Sequence, residues 1–97
     1  MSGYRLSPKA RADLAEIWDY GAERWGENQA ERYTRVLTSA FADLAAGHRV
    51  GQPIDEVRPG YLRHRVGSHV VFFRRADAAT IDVIRILHAR MDIDRHL

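Results

Sequence analysis

The sequence predicts an α+β domain in two layers, a helical hairpin packed on a mostly antiparallel sheet in the order β-α-α-β-β-β. Three observations predict it. Apolar residues recur at spacings of three and four from Ala10 to Leu44, the period of a helix with one buried face. From Tyr61 onward the pattern changes to alternation and short apolar runs, as in strands. Between these stretches, "GHRVGQPIDEVRPG" (residues 47–60) carries two prolines and three glycines that interrupt both periods.

Tyr4-Arg5-Leu6 reads as a short first strand. Ser7 then offers an N-cap oxygen, and Pro8 suits the first helical position, where a missing N–H costs nothing. Ala10, Leu14, Ile17, Trp18, Gly21 and Trp25 form one apolar stripe, so a helix over about 8–25 is expected, with both tryptophans in the core. Gly26 is a natural stop. A second helix over about 27–47 follows from Ala30, Tyr33, Leu37, Ala40, Phe41 and Leu44, ending at Gly47. So short a connection makes the two helices an antiparallel hairpin. The loop 47–60 is long for a chain of this size, and either carries function or simply crosses from helix to sheet.

Tyr61–Val66 alternates, with Leu62, His64 and Val66 on one side and Tyr61, Arg63 and Arg65 on the other. Gly67-Ser68 suits a type II′ hairpin turn. His69–Arg75 carries "VVFF", and after a turn at Ala76–Thr80 the last strand spans Ile81–Leu87. Ile84 and Ile86 share one of its faces; Ile81, Val83 and Leu87 share the other. Apolar residues on both faces predict a central strand. With Ile84, Ile86, Leu62 and Val66 toward the helices, Arg63, Arg65 and Arg85 are expected to emerge together on an open face.

Ninety-seven residues fit a single domain, 1–97, with a thin core. The absence of cysteine excludes a disulfide scaffold and a thiolate metal site. No apolar stretch has the length of a signal peptide core or a membrane span, so a soluble cytoplasmic protein is expected. Net charge is −1 over residues 1–48 and +3 over residues 49–97. Residues 58–75 hold five arginines and no acid, and fourteen of the fifteen basic residues are arginine. Arginine suits bidentate contact with carboxylate or phosphate. Such a strand face is either simply solvated or a docking surface for an acidic partner or nucleic acid.

The end of the chain, "IDVIRILHARMDIDRHL", raises a chemical question. Cutting RNA through its 2′-OH requires a proton acceptor, a proton donor and cations around the phosphate. Arg63, Arg65 and Arg85 are candidates for the cations, and His88 for the acid or base. The plainer reading of a histidine at a strand end is structural. His48, His64, His69, His88 and His96 stand at no spacing that a helix or strand would gather, so neither metal nor cofactor is expected. Asp92 and Asp94 beside His96 read as a polar terminal turn. "MDIDRHL" either packs as a last turn over the sheet or presents a small binding edge.

"YRLSPKARADLAEIWDYGAERWG", "QAERYTRVL", "GQP", "RPGYLRHRVGSHVVFFR" and "IDVIRILHARMDIDRHL" together resemble the ParE toxins of type II toxin–antitoxin modules, in the RelE/ParE superfamily. The likeness runs over essentially the whole chain in order. It implies the same fold and a growth-inhibiting, plasmid-stabilising toxin that acts on DNA gyrase, stalling it with broken DNA attached. It also implies a ParD-like antitoxin as partner, contact with DNA only through antitoxin or gyrase, and no membrane. RelE-type relatives instead cleave mRNA on the ribosome, using basic and acid–base residues in the regions of Arg63, Arg65, Arg85 and His88, often with a tyrosine. No tyrosine follows His88 here. The expectation is therefore a protein-binding toxin without catalytic residues. Arg63, Arg65 and Arg85 are assigned to antitoxin binding, and His88, Arg90, Met91, Arg95 and Leu97 to the target.

Overall fold

The computed structural model describes residues 3–91 and 93–97, with Asp94 described by its backbone alone. Asp92 and the Asp94 side chain, read above as part of a polar turn, lie outside the described residues. The elements are β1 (Gly3–Leu6), α1 (Pro8–Trp25), α2 (Glu27–Ala46), β2 (Gln52–Pro53), β3 (Leu62–Val66), β4 (His69–Arg75), β5 (Thr80–His88) and α3 (Ile93–His96). Among the described residues the sheet has five strands, ordered β1-β5-β4-β3-β2. β1 runs parallel to β5; every other pairing is antiparallel. The two-layer α+β architecture is the expected one. β5 is an interior strand, although β4 holds the middle of the sheet. No helix among the described residues is long and apolar enough to cross a membrane.

Local chemistry sets the helix ends. The Ser7 hydroxyl oxygen accepts from the Ala10 N–H at 3.0 Å, with Pro8 at the first helical position. Gly26 joins the helices at φ 92°, a backbone conformation closed to most side chains. At the β3–β4 turn Gly67 has φ 58° and no described non-glycine residue has positive φ, as a type II′ turn requires.

The main core lies between the helices and the sheet. α2 contributes Leu37, Ala40, Phe41 and Leu44; the sheet contributes Val66, Val71, Phe73, Ile81, Val83 and Ile86. α1 buries only Ala10 and Gly21. Its start lies beside β5 beyond the end of β1, where Ser7 and Asp13 bond to Ile84 and Ile86, so β1 does not lie beneath its far half. The two tryptophans sit accordingly, contrary to the expectation of core: Trp25 is 63% exposed, and Trp18 is half-buried with its indole N–H donating to Glu31 at 3.3 Å.

A bulge corrects the face assignment in β5. Phe72 pairs with Arg85 and Phe73 with Val83, leaving Ile84 without an opposite residue. One extra residue reverses the alternation. Ile81, Val83 and Ile86 therefore share the helix-side core, and Ile84 does not join Ile86 there. On the far face Val70, Phe72 and Leu87 pack with Ile54 in a second cluster. The loop contributes Val57 and Tyr61 to its cover, and the C-terminal turn contributes Ile93 and Leu97. Residues 93–97 thus pack as a last turn over the sheet, through Ile93 and Leu97.

Candidate functional site

Where β1 stops at Leu6, the outer edge of β5 continues to His88. Unpaired strand N–H and C=O groups there need partners. The start of α1 supplies them. The Ser7 hydroxyl donates to the Ile84 carbonyl at 2.7 Å, and the Asp13 carboxylate accepts the Ile86 N–H at 2.9 Å. The same carboxylate takes a two-pronged hydrogen bond from Arg85, at 2.8 Å from Nε and 2.9 Å from Nη2. Arg85 Nη1 also donates to the His96 carbonyl at 3.0 Å. Both side chains are well covered, at 16% and 11% exposure. Arg85 is therefore a clamp joining β5, α1 and the C-terminal turn.

This corrects the expected arginine face. Arg63 and Arg65 do lie exposed on the far side of the sheet, opposite Phe72 and Val70. Arg65 donates to the Gly67 carbonyl at 3.0 Å. Arg85 is not beside them at the surface, because its charge is neutralised in the clamp. A ribonuclease set of Arg63, Arg65, Arg85 and His88 would thus lose one of its cations.

A groove of about 900 Å³ opens between the far half of the helical hairpin and the ends of β4 and β5. Ile17, Tyr20 and Trp25 line it from α1, Ala30 and Tyr33 from α2, and His69, Leu87, His88 and Met91 from the sheet side. Tyr20, Trp25 and Met91 are 56%, 63% and 50% exposed. The Tyr20 and Trp25 rings meet edge to face at 5.9 Å, and the Arg24 guanidinium lies over both. Close helix packing shapes the inner wall, since a Cβ on Gly21 would lie 3.3 Å from the Ala30 Cβ.

At the sheet end of the groove the Tyr33 hydroxyl lies 2.6 Å from His69 Nδ1 and 3.3 Å from the Val66 carbonyl. His69 and His88 are directly opposed on β4 and β5, their rings 5.6 Å apart. Burial pushes the His69 pKa below its ordinary value; neighbouring His88 adds to this and Asp13 opposes it. The expectation that nothing gathers two histidines is therefore corrected: antiparallel pairing does, across nineteen positions of sequence. Tyr33, His69, Asp13 and Tyr20 were not singled out as site residues. The one local hint was His69 directly after the Gly67-Ser68 turn, a position that must pair across to the end of the last strand. Among the described residues no group of three or more His, Cys, Asp or Glu gathers to hold a metal.

The tail residues separate. His88 is exposed, with Nδ1 accepting from the Arg90 N–H at 3.2 Å. Arg90, Met91 and Arg95 are exposed, and Met91 borders the groove. Leu97 is half-buried in the far-face cluster, and its carbonyl accepts from Arg58 at 2.6 Å.

Comparison with known proteins agrees with this architecture. The family model for the ParE toxin of type II toxin–antitoxin systems, parDE, matches residues 4–93. Toxin ParE1 of Mycobacterium tuberculosis is 52% identical over 96 residues, covering 99% of this chain and 98% of the relative. Toxin ParE1 of Caulobacter vibrioides is 43% identical over 97 residues, covering 100% and 99%. Among solved structures, a chain of the chromosomal ParDE system from P. aeruginosa superposes with a TM-score of 0.71 at 24% identity, covering 91% of this chain and 95% of that one. A chain of the toxin–antitoxin complex RelBE2 from Mycobacterium tuberculosis gives 0.63 at 24% identity, covering 90% and 96%. With its sequence matched end to end and its fold shared, the chain belongs to the ParE toxin family of type II toxin–antitoxin systems.

Proposed function

We propose that this toxin arrests growth by binding DNA gyrase without catalysing a reaction of its own, and that a ParD-like antitoxin neutralises it by filling the groove. The observation that carries the antitoxin half is the groove's rim. Tyr20, Trp25 and Met91 are three of the five strongly exposed large apolar residues among those described. Exposed apolar side chains concentrated on one concavity suit the apolar face of a segment that folds on binding. Arg63 and Arg65 remain reachable on the far face and serve as a second, charge-steering contact. Arg85 holds the clamp and takes no direct part.

The gyrase half rests on family membership and on the exposed edge formed by His88, Arg90, Met91 and Arg95. The involvement of Arg85 in the clamp weakens the ribonuclease alternative. A supercoiling assay with purified gyrase is the test: the toxin should inhibit it, and cleavage of ribosome-bound mRNA without inhibition would reverse the reading. Met91→Ala and Arg90→Ala should reduce inhibition in a graded way, with the shared contact spread over several residues. Truncation of residues 91–97 is less clean, because Ile93 and Leu97 cover the far-face cluster. For the antitoxin, Trp25→Ala should weaken binding by roughly 2 kcal/mol or more if the ring is an anchor. Association should also slow with salt, and less so in an Arg63→Ala/Arg65→Ala variant.

A further inference from the structure

We infer that His69 and His88 form a binding site for a divalent transition-metal ion that favours imidazole ligands, such as zinc, nickel or copper, at the sheet end of the groove. Neutral imidazole suits these ions, and carboxylate-preferring magnesium or calcium would not be held there.

Geometry carries the inference. The two residues are direct cross-strand partners, on the sheet face shared by Val71 and Ile86, so both rings enter the groove from the same side. Their centres are 5.6 Å apart and their planes cross at 77°. Two imidazoles bound to one ion through bonds of about 2.0–2.1 Å place their ring centres roughly 5–6 Å apart. The 5.6 Å separation of His69 and His88 lies within that range.

The outer support is also present. With metal on Nε2, His69 carries its proton on Nδ1 and donates to the Tyr33 hydroxyl oxygen, 2.6 Å away. The Tyr33 hydroxyl then turns its own proton to the Val66 carbonyl at 3.3 Å. This chain satisfies every donor and fixes the ring, as the outer partners of metal-bound histidines do. His88 is free to adjust: it is exposed, and its 3.2 Å contact from the Arg90 N–H can pass to water. Two protein ligands leave the remaining positions of the ion to water facing the groove. The plain alternative is that His69 serves only to anchor Tyr33, with His88 a solvated neighbour.

The test is calorimetric titration of the tag-free chain with zinc and with nickel at about pH 7.5, where imidazole is neutral. Saturable binding of one ion per chain is expected. His69→Gln and His88→Gln should each weaken it about tenfold or more, Tyr33→Phe by about tenfold, and His48→Gln not at all. His88 is exposed, so its variant stays informative even if His69→Gln disturbs packing. In a proton NMR titration, nickel should broaden the His69 and His88 ring signals before those of His48 and His64. Absence of saturable binding would overturn the inference, as would binding that survives the double variant or that falls equally in His48→Gln.

Discussion

Among the described residues, twelve buried side chains form one cluster on the helix side of the sheet; on the far side four do, roofed by a loop and a four-residue helix. The helix side has long amphipathic elements that bury whole faces. The far side has Val57, Tyr61, Ile93 and Leu97, each only partly buried. The two faces therefore do different work. The first holds the fold together, and the second holds the C-terminal turn in place over the sheet. Arg85 links them, reaching Asp13 on α1 and the carbonyl of His96 in α3. The lesson is that strand residues with the same chemistry take their roles from what covers them: Arg63 and Arg65 meet solvent, whereas Arg85 meets a carboxylate.

The largest effect should come from the helix-side core. Phe41→Ala, at a fully buried ring, is expected to cost about 3–5 kcal/mol in urea unfolding. Leu97→Ala, in the thin far-face cluster, should cost about 1 kcal/mol, in proportion to its partial burial. Equal losses at the two sites would erase the contrast between the faces. Next comes the clamp. Arg85→Ala leaves Asp13 covered and unpaired, which should cost about 3 kcal/mol. It should also raise hydrogen exchange in α3 more than in α2; a uniform increase would mean that Arg85 does not hold the tail.

A pH effect follows from His69. Its folded pKa is lowered, chiefly by burial, so below the unfolded value of about 6.5 the unfolded chain binds more protons than the folded one. Stability should then be full above that value and fall with acid until the folded His69 itself protonates. Urea titrations on either side of the window should show a smaller drop in His69→Gln than in the parent. His64, whose pKa burial also lowers, should retain its share in both. A drop of the same size in both chains would refute the role of His69. The smallest effects are expected at the rim. Trp25→Ala and Arg63→Ala should each change stability by less than about 0.5 kcal/mol. A cost of several kcal/mol at Trp25 would return that ring to the core.

The sequence by itself determined the helices and turns. Pro8–Trp25 and Glu27–Ala46 match the expected bounds closely, because an N-cap serine, a first-turn proline and glycines at positive φ act within a few residues of where they stand. The identity of the main sheet strands was legible for the same reason. β2 was not, since two residues carry no period. Tertiary structure alone decided which faces of β5 are buried, because a single bulge after Val83 reverses an alternation that is strict on paper. It also decided that both tryptophans leave the core, since a periodic stripe shows which side of a helix is apolar but not whether a sheet lies beneath it. The Asp13–Arg85 clamp and the Tyr33–His69–His88 cluster join residues far apart in sequence. Such contacts depend on strand order and register, which are set only when several elements pack at once.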